Sequence, residues 1–417
     1  MLGLANTVSS GSPVESLYSM TLDGTDDYLD LKSLATGLSL ADNAAYSISL
    51  WFNTTDTSGS AGTNILVGVN GTSNDNVLRV GVDIAADGIF FNGTADGDNN
   101  VSIGSVDYVD GAWHHLALSR PAGSGENTTF YVDGSSIGTS AHDVLWSDTT
   151  LFSLGAEADA GTLTDHFQGK ITDFAIWNTA LDTDDITGIY NSGSPTNLTF
   201  NNNGYDKSSS LQAYYRMGNG SFDDKANGVI HDQHNPGFGA ELIPNNDFSA
   251  NEAESQANLV GGVQFDNWVE NPGTGKRTLS VIENGFRSTC VETSDNHYEQ
   301  RVRQDLHSIL TVGDVYRFNC DYLTSDGSSI RVAIQTPGSG DVQIGGTQST
   351  SAGVKYTLNG YFICSVTTNI DVDFWPTAVQ SAGEYFEISN VSLKKLNGYP
   401  GLTSNVDVPT AFSSDTP

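Results

Sequence analysis

The stretch Asp110–Gly138, DGAWHHLALSRPAGSGENTTFYVDGSSIG, reads as two β-strands joined by a polar turn. Trp113, His115, Ala117 and Ser119 fall on one face, and His114, Leu116 and Leu118 on the other. That is the period-2 spacing of a strand packed on one or both sides. The Gly and Ser residues between Pro121 and Asn127 supply the backbone freedom of a reversal. The returning run Thr128–Asp133 is β-branched and aromatic, and Asp133-Gly134 makes another tight turn.

The same pattern extends outward. YSMTLDG, DDYLDL, YSISLWFNT, TNILVGV, VLRVGVDI, GIFFNG and NVSIGSV follow one another from Tyr18, separated by Asn-Gly, Asp-Gly and Gly-Thr turns. This is the sequence of an antiparallel sandwich. After the hairpin come FSLGAEA and FQGKITDFAIWNT, then a short amphipathic stretch with Leu181, Ile186, Ile189 and Tyr190 on one face. Asp182 or Thr183 can cap it and Gly193 can end it.

With 417 residues the chain is expected to form two or three domains. Its 45 glycines, with abundant Ser, Thr, Asn and Asp, favour short strands and turns over helices. Seventeen Lys and Arg against 50 Asp and Glu give a formal net charge of −33. A polyanion of that size repels nucleic acid and anionic lipid, so neither is an expected partner. Met1–Pro13 lacks the basic start and apolar core of a signal peptide, and no apolar run approaches the roughly 20 residues of a membrane span. Three cysteines, Cys290, Cys320 and Cys364, argue against a disulfide framework, leaving a Cys320–Cys364 pair as the one bridge to test.

LDGTDDYLDL, YSISLWF, DGAWHHLALSR, TTFYVDGSSIG, FSLG and FQGKITDFAIWNTALDTDDI together resemble the laminin-G-like branch of the concanavalin-A-like lectin/glucanase superfamily. That resemblance covers about residues 16–193 and implies a jelly roll of two curved antiparallel sheets. LIPNNDFS, FDNWVENPG, EQRVRQDLHSILTVGDVYRFNCDYLT and EYFEISNVSLKKL resemble the β-jelly-roll carbohydrate-binding modules. In those modules the closing strand often carries an Asp that helps hold a structural Ca²⁺. Ser389 stands there in this chain, which puts that metal site in doubt. The expected fold is thus all-β, with two antiparallel jelly-roll sandwiches and extended termini. The expected divisions are an N-terminal arm (1–17), a first sandwich (18–194), a connecting segment packed on it (195–239), a second sandwich (240–396) and a C-terminal tail, disordered or docking (397–417).

A retaining glycosidase needs two carboxylates about 5 Å apart. The Glu-x-Asp-x-x-Glu run of the glucanase relatives is absent, and the first 180 residues hold only Glu15, Glu126 and Glu157. Gly134–Gly138 fits Gly-x-Ser-x-Gly, but that elbow works only between a parallel strand and a helix. His231 and His234 lie in a Gly/Asn-rich loop with no partnering Glu, so no metal pair is expected there. His114 and His115 alternate across a strand, one packed and the other exposed. No catalytic residue is expected. Hard cations need several oxygens from irregular loops. Asp23, Asp26 and Asp27 in one loop, with Asp96 and Asp98 in another, are therefore the candidate Ca²⁺ ligands. Sugar binding needs exposed aromatics that stack on pyranose faces. Trp146, in the loop-like VLWSDT, and Trp268, Tyr298, Tyr322 and Trp375 in the second sandwich are the candidates, with Trp51, Trp113 and Trp177 assigned to the core.

Together these features suit a non-enzymatic bacteriophage virion protein, a fibre, appendage or capsid decoration. Its expected partners are other virion proteins, gripped through the termini, and host surface glycans. The expected state is a homo-oligomer on an extracellular particle, with Ca²⁺ the one cofactor considered. The alternative is a cellular adhesin or an accessory carbohydrate-binding protein of a polysaccharide-degrading system.

Overall fold

The computed structural model describes residues 16–58, 64–71, 76–93, 101–159, 162–249, 251–253, 263–265, 268–271, 277–293, 301–306, 309–336, 342–366, 370–406 and 410–417. The N-terminal arm therefore lies almost wholly outside the described residues. The chain forms two units. The first is residues 1–237 together with 397–417, and the second is the intervening Phe238–Leu396.

The first unit stacks two antiparallel sheets. One runs in the order Ser135–Ala141, Asn127–Val132, His114–Arg120, Tyr46–Asn53, Gln168–Trp177, Ser19–Asp23, Phe412–Ser413, and Leu211–Tyr215 also pairs with Gln168–Trp177. The other runs Val229–Ile230, Gly401–Ser404, Tyr28–Asp30, Thr149–Leu154, Ile65–Gly71, Asn76–Asp83, Gly88–Gly93, Val101–Ile103. The strand Tyr46–Asn53 shows how both faces are used. Tyr46, Ile48, Leu50 and Phe52 enter the core between the sheets, which also holds Leu116, Leu118 and Phe130. The opposite face carries a second apolar cluster of Ala117, Tyr131, Ala175, Trp177, Leu181, Ile186 and Ile189. That cluster seats the helix Thr183–Tyr190. Asp182 caps it by accepting from the Asp184 and Asp185 amides, and the Asp185 side chain returns the bond, a capping box. Asn191, in the left-handed region at φ 48°, ends it ahead of the expected Gly193.

The last residues are part of this fold. Gly401–Ser404 pairs with Tyr28–Asp30 on one side and Val229–Ile230 on the other. Phe412–Ser413 pairs with Ser19–Asp23. Val406 and Ala411 are buried in the core, and Tyr399 packs against it. The re-entry point is clasped by Asp232, whose carboxylate accepts from the amides of Tyr214 (3.0 Å), His234 (2.9 Å) and Tyr399 (3.3 Å). Ser33 Oγ donates to Pro400 O at 2.8 Å, and Asn397 N donates to Gly237 O at 3.0 Å. A polar composition hides these few apolar anchors, so a tail expected to be disordered or docking proves to be sheet.

The second unit is also a two-sheet sandwich. Arg277–Ile282, Gly285–Cys290, Tyr385–Leu396, Val315–Thr324 and Tyr356–Ile363 form one sheet in that order, with Phe238–Glu241 paired to Tyr385–Leu396. Val269–Asn271, Arg301–Asp305, Asp371–Pro376, Ile330–Gln335 and Val342–Gln348 form the other. Phe248, Phe286, Phe318, Cys320, Val332, Phe374 and Ile388 are among the residues filling the space between them. All three cysteines are free and buried, so Cys320 and Cys364 do not pair. Ser389 is buried. Nearby, the Glu241 carboxylate accepts from Leu393 N (2.8 Å) and Ser392 Oγ (2.7 Å).

Candidate functional site

The strongest assembly of polar side chains outside a core lies on one face of the five-stranded sheet of the second unit. Val302, Val372, Phe374, Ile330, Val332 and Ile334 point into the core. Their strand neighbours Arg301, Arg303, Asp371, Asp373, Trp375, Arg331 and Gln335 therefore point the other way. Cross-strand register sets Arg303 and Ala333 beside Asp373, and Arg331 beside Trp375. A chain of contacts follows. The Arg331 guanidinium lies 5.7 Å from the Trp375 ring centroid and its Nε donates to Gln335 Oε1 at 3.0 Å. Gln335 Nε2 donates to Asp373 Oδ2 at 2.9 Å. Arg303 Nη1 is 2.7 Å from Asp371 Oδ2. Arg301 Nη1 stands 4.0 Å from Asp373 Oδ1, an ion pair without a hydrogen bond. Burial pushes the Asp373 carboxyl up to about 6, against the opposing pull of Gln335 and Arg301.

Among the described sugar-binding candidates, only Trp375 belongs to this face. Trp375 (7% exposed) lies outside the core, under Arg331. Trp268 is 4% exposed, tilted against Phe248 at 4.7 Å and hydrogen-bonded to Asn245 O. Tyr322 points into the core and stacks on Tyr356. Trp146 corrects an expectation. It is 4% exposed, held edge-on to Tyr46 at 5.1 Å, because a single 3₁₀ turn at Trp146–Asp148 rotates it inward. None of these three offers a free ring for stacking. Trp113, assigned to the core, is instead half-exposed, since the strand begins at His114, and its Nε1 donates to Asp415 Oδ1 at 3.2 Å. Tyr298 lies outside the described residues, as do Asp96 and Asp98.

Asp23, Asp26 and Asp27 do meet. One ligand atom of each lies within 4.8 Å of the others, the one such carboxylate, His or Cys group among the described residues. Asp23 Oδ1 accepts from Thr25 N and Asp27 Oδ2 from Asp23 N, which leaves oxygens on all three side chains for a hard cation. Burial raises the Asp27 pKa, with Asp23 and Asp26 adding to the push against the opposing Asp23 amide and His166. Beside the loop a polar pocket of about 270 Å³ is lined by Asp56, Asn64, Asp165, His166 and Gln168, among others.

Residues 23–187 match the family model described as the concanavalin A-like lectin/glucanases superfamily, of laminin-G type. The first unit thus contains a domain similar to the concanavalin A-like lectins. No curated protein matches the chain. Among solved structures it is similar to a native heptameric SAP-like pentraxin from Limulus polyphemus, at 17% identity over 44% of this chain and 87% of that one, TM-score 0.35. It is similar to the CBM40 of the Ruminococcus gnavus IT-sialidase bound to α2,3-sialyllactose, at 16% identity over 41% and 96%, TM-score 0.34. A putative carbohydrate-binding protein from Bacteroides ovatus matches at 15% identity over 53% and 56%, TM-score 0.36.

Inside the lectin domain the conspicuous residues hold the scaffold. Ser136 sits in an antiparallel strand, so Gly134–Gly138 is no nucleophile elbow. His115 is buried against Trp51 and Tyr190, while His114 bridges Asp133 (2.8 Å) and Asp110 (3.3 Å). Burial pulls the His114 pKa down, but the bonds to those two carboxylates outweigh it and the net shift is upward. His231 is buried and His234 exposed, so they do not converge. Glu157 makes a buried pair with Arg79 at 2.7 Å. Its segment lies so close to the sheet that a side chain on Gly68 would come within 2.2 Å of Ala156 O. No helix among the described residues is long and apolar enough to cross a membrane.

The polar face of the second unit was missed because only aromatics were sought. The signal was present in RVRQD, IRVAIQ and DVDFWP, where charged or amide side chains alternate with apolar ones.

Proposed function

We propose that the protein is a non-catalytic carbohydrate-recognition protein. The saccharide would lie across the face bearing Arg301, Asp373, Gln335, Arg331 and Trp375, and the lectin domain would serve as the companion module. The observation that carries this reading is the continuous run of side chains from Trp375 to Arg301, which offers several fixed donors and acceptors beside a largely covered indole. Oriented polar groups beside an apolar ring are what a pyranose needs. The lectin-type fold of residues 23–187 supports it as context. Within the same proposal Asp23, Asp26 and Asp27 bind Ca²⁺ and stiffen the loop between two strands of the lectin domain.

The setting proposed is the surface of a virion, with the protein as an appendage or decoration that attaches to host glycans. A net charge of −33 and two solvent-tolerant β-modules support that setting over an intracellular one. A glycan array probed with the full chain, with and without Ca²⁺, tests recognition. Binding that is lost in Gln335→Ala is expected, and an array silent in both conditions sinks the reading. Ca²⁺ is expected to raise the melting temperature of the lectin domain, and Asp27→Asn to abolish that rise. Equal melts in Ca²⁺ and in chelator would remove the ion from the proposal.

A further inference from the structure

Resting on the reading just given, we infer that the saccharide taken by this face is an acidic one. A sugar carboxylate would pair with the guanidinium of Arg301, and a neighbouring hydroxyl of the same sugar would donate to Asp373 Oδ1.

The argument begins with two unsatisfied groups that face each other. Asp373 is fully buried. Its Oδ2 is held by Gln335 Nε2, whereas its Oδ1 is buried without a hydrogen-bond partner. Arg301 Nε is likewise buried and unsatisfied, and Nη1 comes no nearer to Asp373 than 4.0 Å. Gln335 cannot turn to serve Oδ1, because its Oε1 is fixed by Arg331. Arg303 cannot stand in either, since it is committed to Asp371. A buried polar group left unmade costs more than a made bond returns, so such a pair is a standing demand for an incoming acceptor and an incoming donor.

The chemistry of that ligand follows from the two residues. Arg301 retains 24% of its side-chain exposure, so it is reached from solvent, and a ligand covering it would strip that water. A neutral sugar would leave the cation desolvated with the Asp373 counter-charge beyond hydrogen-bond range. A carboxylate instead meets the planar fork with two parallel N–H···O bonds. Asp373 Oδ1 accepts only, so it asks for a hydroxyl. A uronic acid carries both, its carboxylate next to a ring hydroxyl on the adjacent carbon. The surrounding charge permits it. Arg301, Arg303 and Arg331 balance Asp305, Asp371 and Asp373 on this face, a neutral patch in a chain of net −33. The repulsion of the remaining surface is screened over about 10 Å at 0.1 M salt.

The test uses the full chain and a panel of uronic-acid oligosaccharides, galacturonate, glucuronate-containing and mannuronate/guluronate, each paired with its methyl ester. The ester keeps the sugar and removes the charge. Calorimetric titration is expected to show at least one acid binding tenfold or more tighter than its ester. Arg301→Gln should bring the acid down to the ester's affinity, and Arg301→Lys should recover part of the loss, each measured well below the variant's own melting transition. In the unmodified chain, raising the salt should weaken the acid and not the ester, a readout that needs no variant to fold. Acid and ester binding alike, or Arg301→Gln binding as well as the parent, overturns the acidic-sugar inference while leaving carbohydrate recognition intact. Silence across the panel and across a neutral array overturns both.

Discussion

His115 shows what one buried side chain does to pH behaviour. Packed against both Trp51 and Tyr190, with Nδ1 unpartnered, it has its pKa pushed down by burial to about 4 from 6.5. Between those values the unfolded chain binds the proton and the folded one does not, so stability rises with pH across that window and is flat above it. The span is worth about 3 kcal/mol. Asp373 has the opposite sign. Its folded pKa of about 6 lies above the ordinary 3.8, so its contribution is present below pH 3.8 and lost as the pH rises through 6. Urea melts between pH 4 and 8 are expected to show the steep acid limb flattened in His115→Gln, and an unchanged limb would contradict the assignment. Arg79 is the other decisive residue. Arg79→Met leaves Glu157 buried without its cation and should cost about 3–5 kcal/mol, whereas Arg79→Met with Glu157→Gln should cost less, both read from denaturant midpoints. Neither environment is legible in the sequence, which marks His115 as a strand residue but carries no sign of the tyrosine 75 positions on that covers it.

At the level of elements, legibility follows length and periodicity. The strands Tyr46–Asn53 and His114–Arg120 announce themselves by alternation, and the helix Thr183–Tyr190 by its Asp cap and apolar face. Gly401–Ser404 and Phe412–Ser413 are too short for a period to emerge. Trp113 and Trp146 exchanged roles for a related reason, because burial there depends on where a strand begins and how one 3₁₀ turn rotates. The short closing strands nevertheless matter. A chain ending at Leu396 loses Gly401–Ser404 from between its two neighbours, and the lectin domain is expected to lose its cooperative thermal transition. A chain ending at Val406 gives up the edge strand Phe412–Ser413, the buried Ala411 and the Asp415 contacts to Trp113 and Lys170, and should melt cooperatively at a lower temperature. Near-UV circular dichroism on heating distinguishes the two.

For the whole molecule, the second unit is an insertion into the lectin domain. The chain leaves the first unit at Gly237 and returns at Asn397, where the two backbones are hydrogen-bonded to each other. Replacing residues 238–396 by a short Gly-Ser linker is therefore expected to leave the lectin domain folded, as tested by its melt and dispersion of its NMR amide signals. A linear reading places the modules one after the other, because nothing local says that Ser404 pairs with Tyr28. That pairing also dictates an order of events on the ribosome. The strands Ser19–Asp23 and Tyr28–Asp30 are made early and pair on one side with Gln168–Trp177 and Thr149–Leu154, yet their other partners follow only after the inserted unit, about 370 to 390 residues later, on the order of tens of seconds at typical synthesis rates. The inserted unit is contiguous and can be complete while its host still waits with open sheet edges, the kind of surface that pairs wrongly when left exposed. The host domain is begun first and finished last, so any defect that slows the insert also lengthens the time its host spends unprotected.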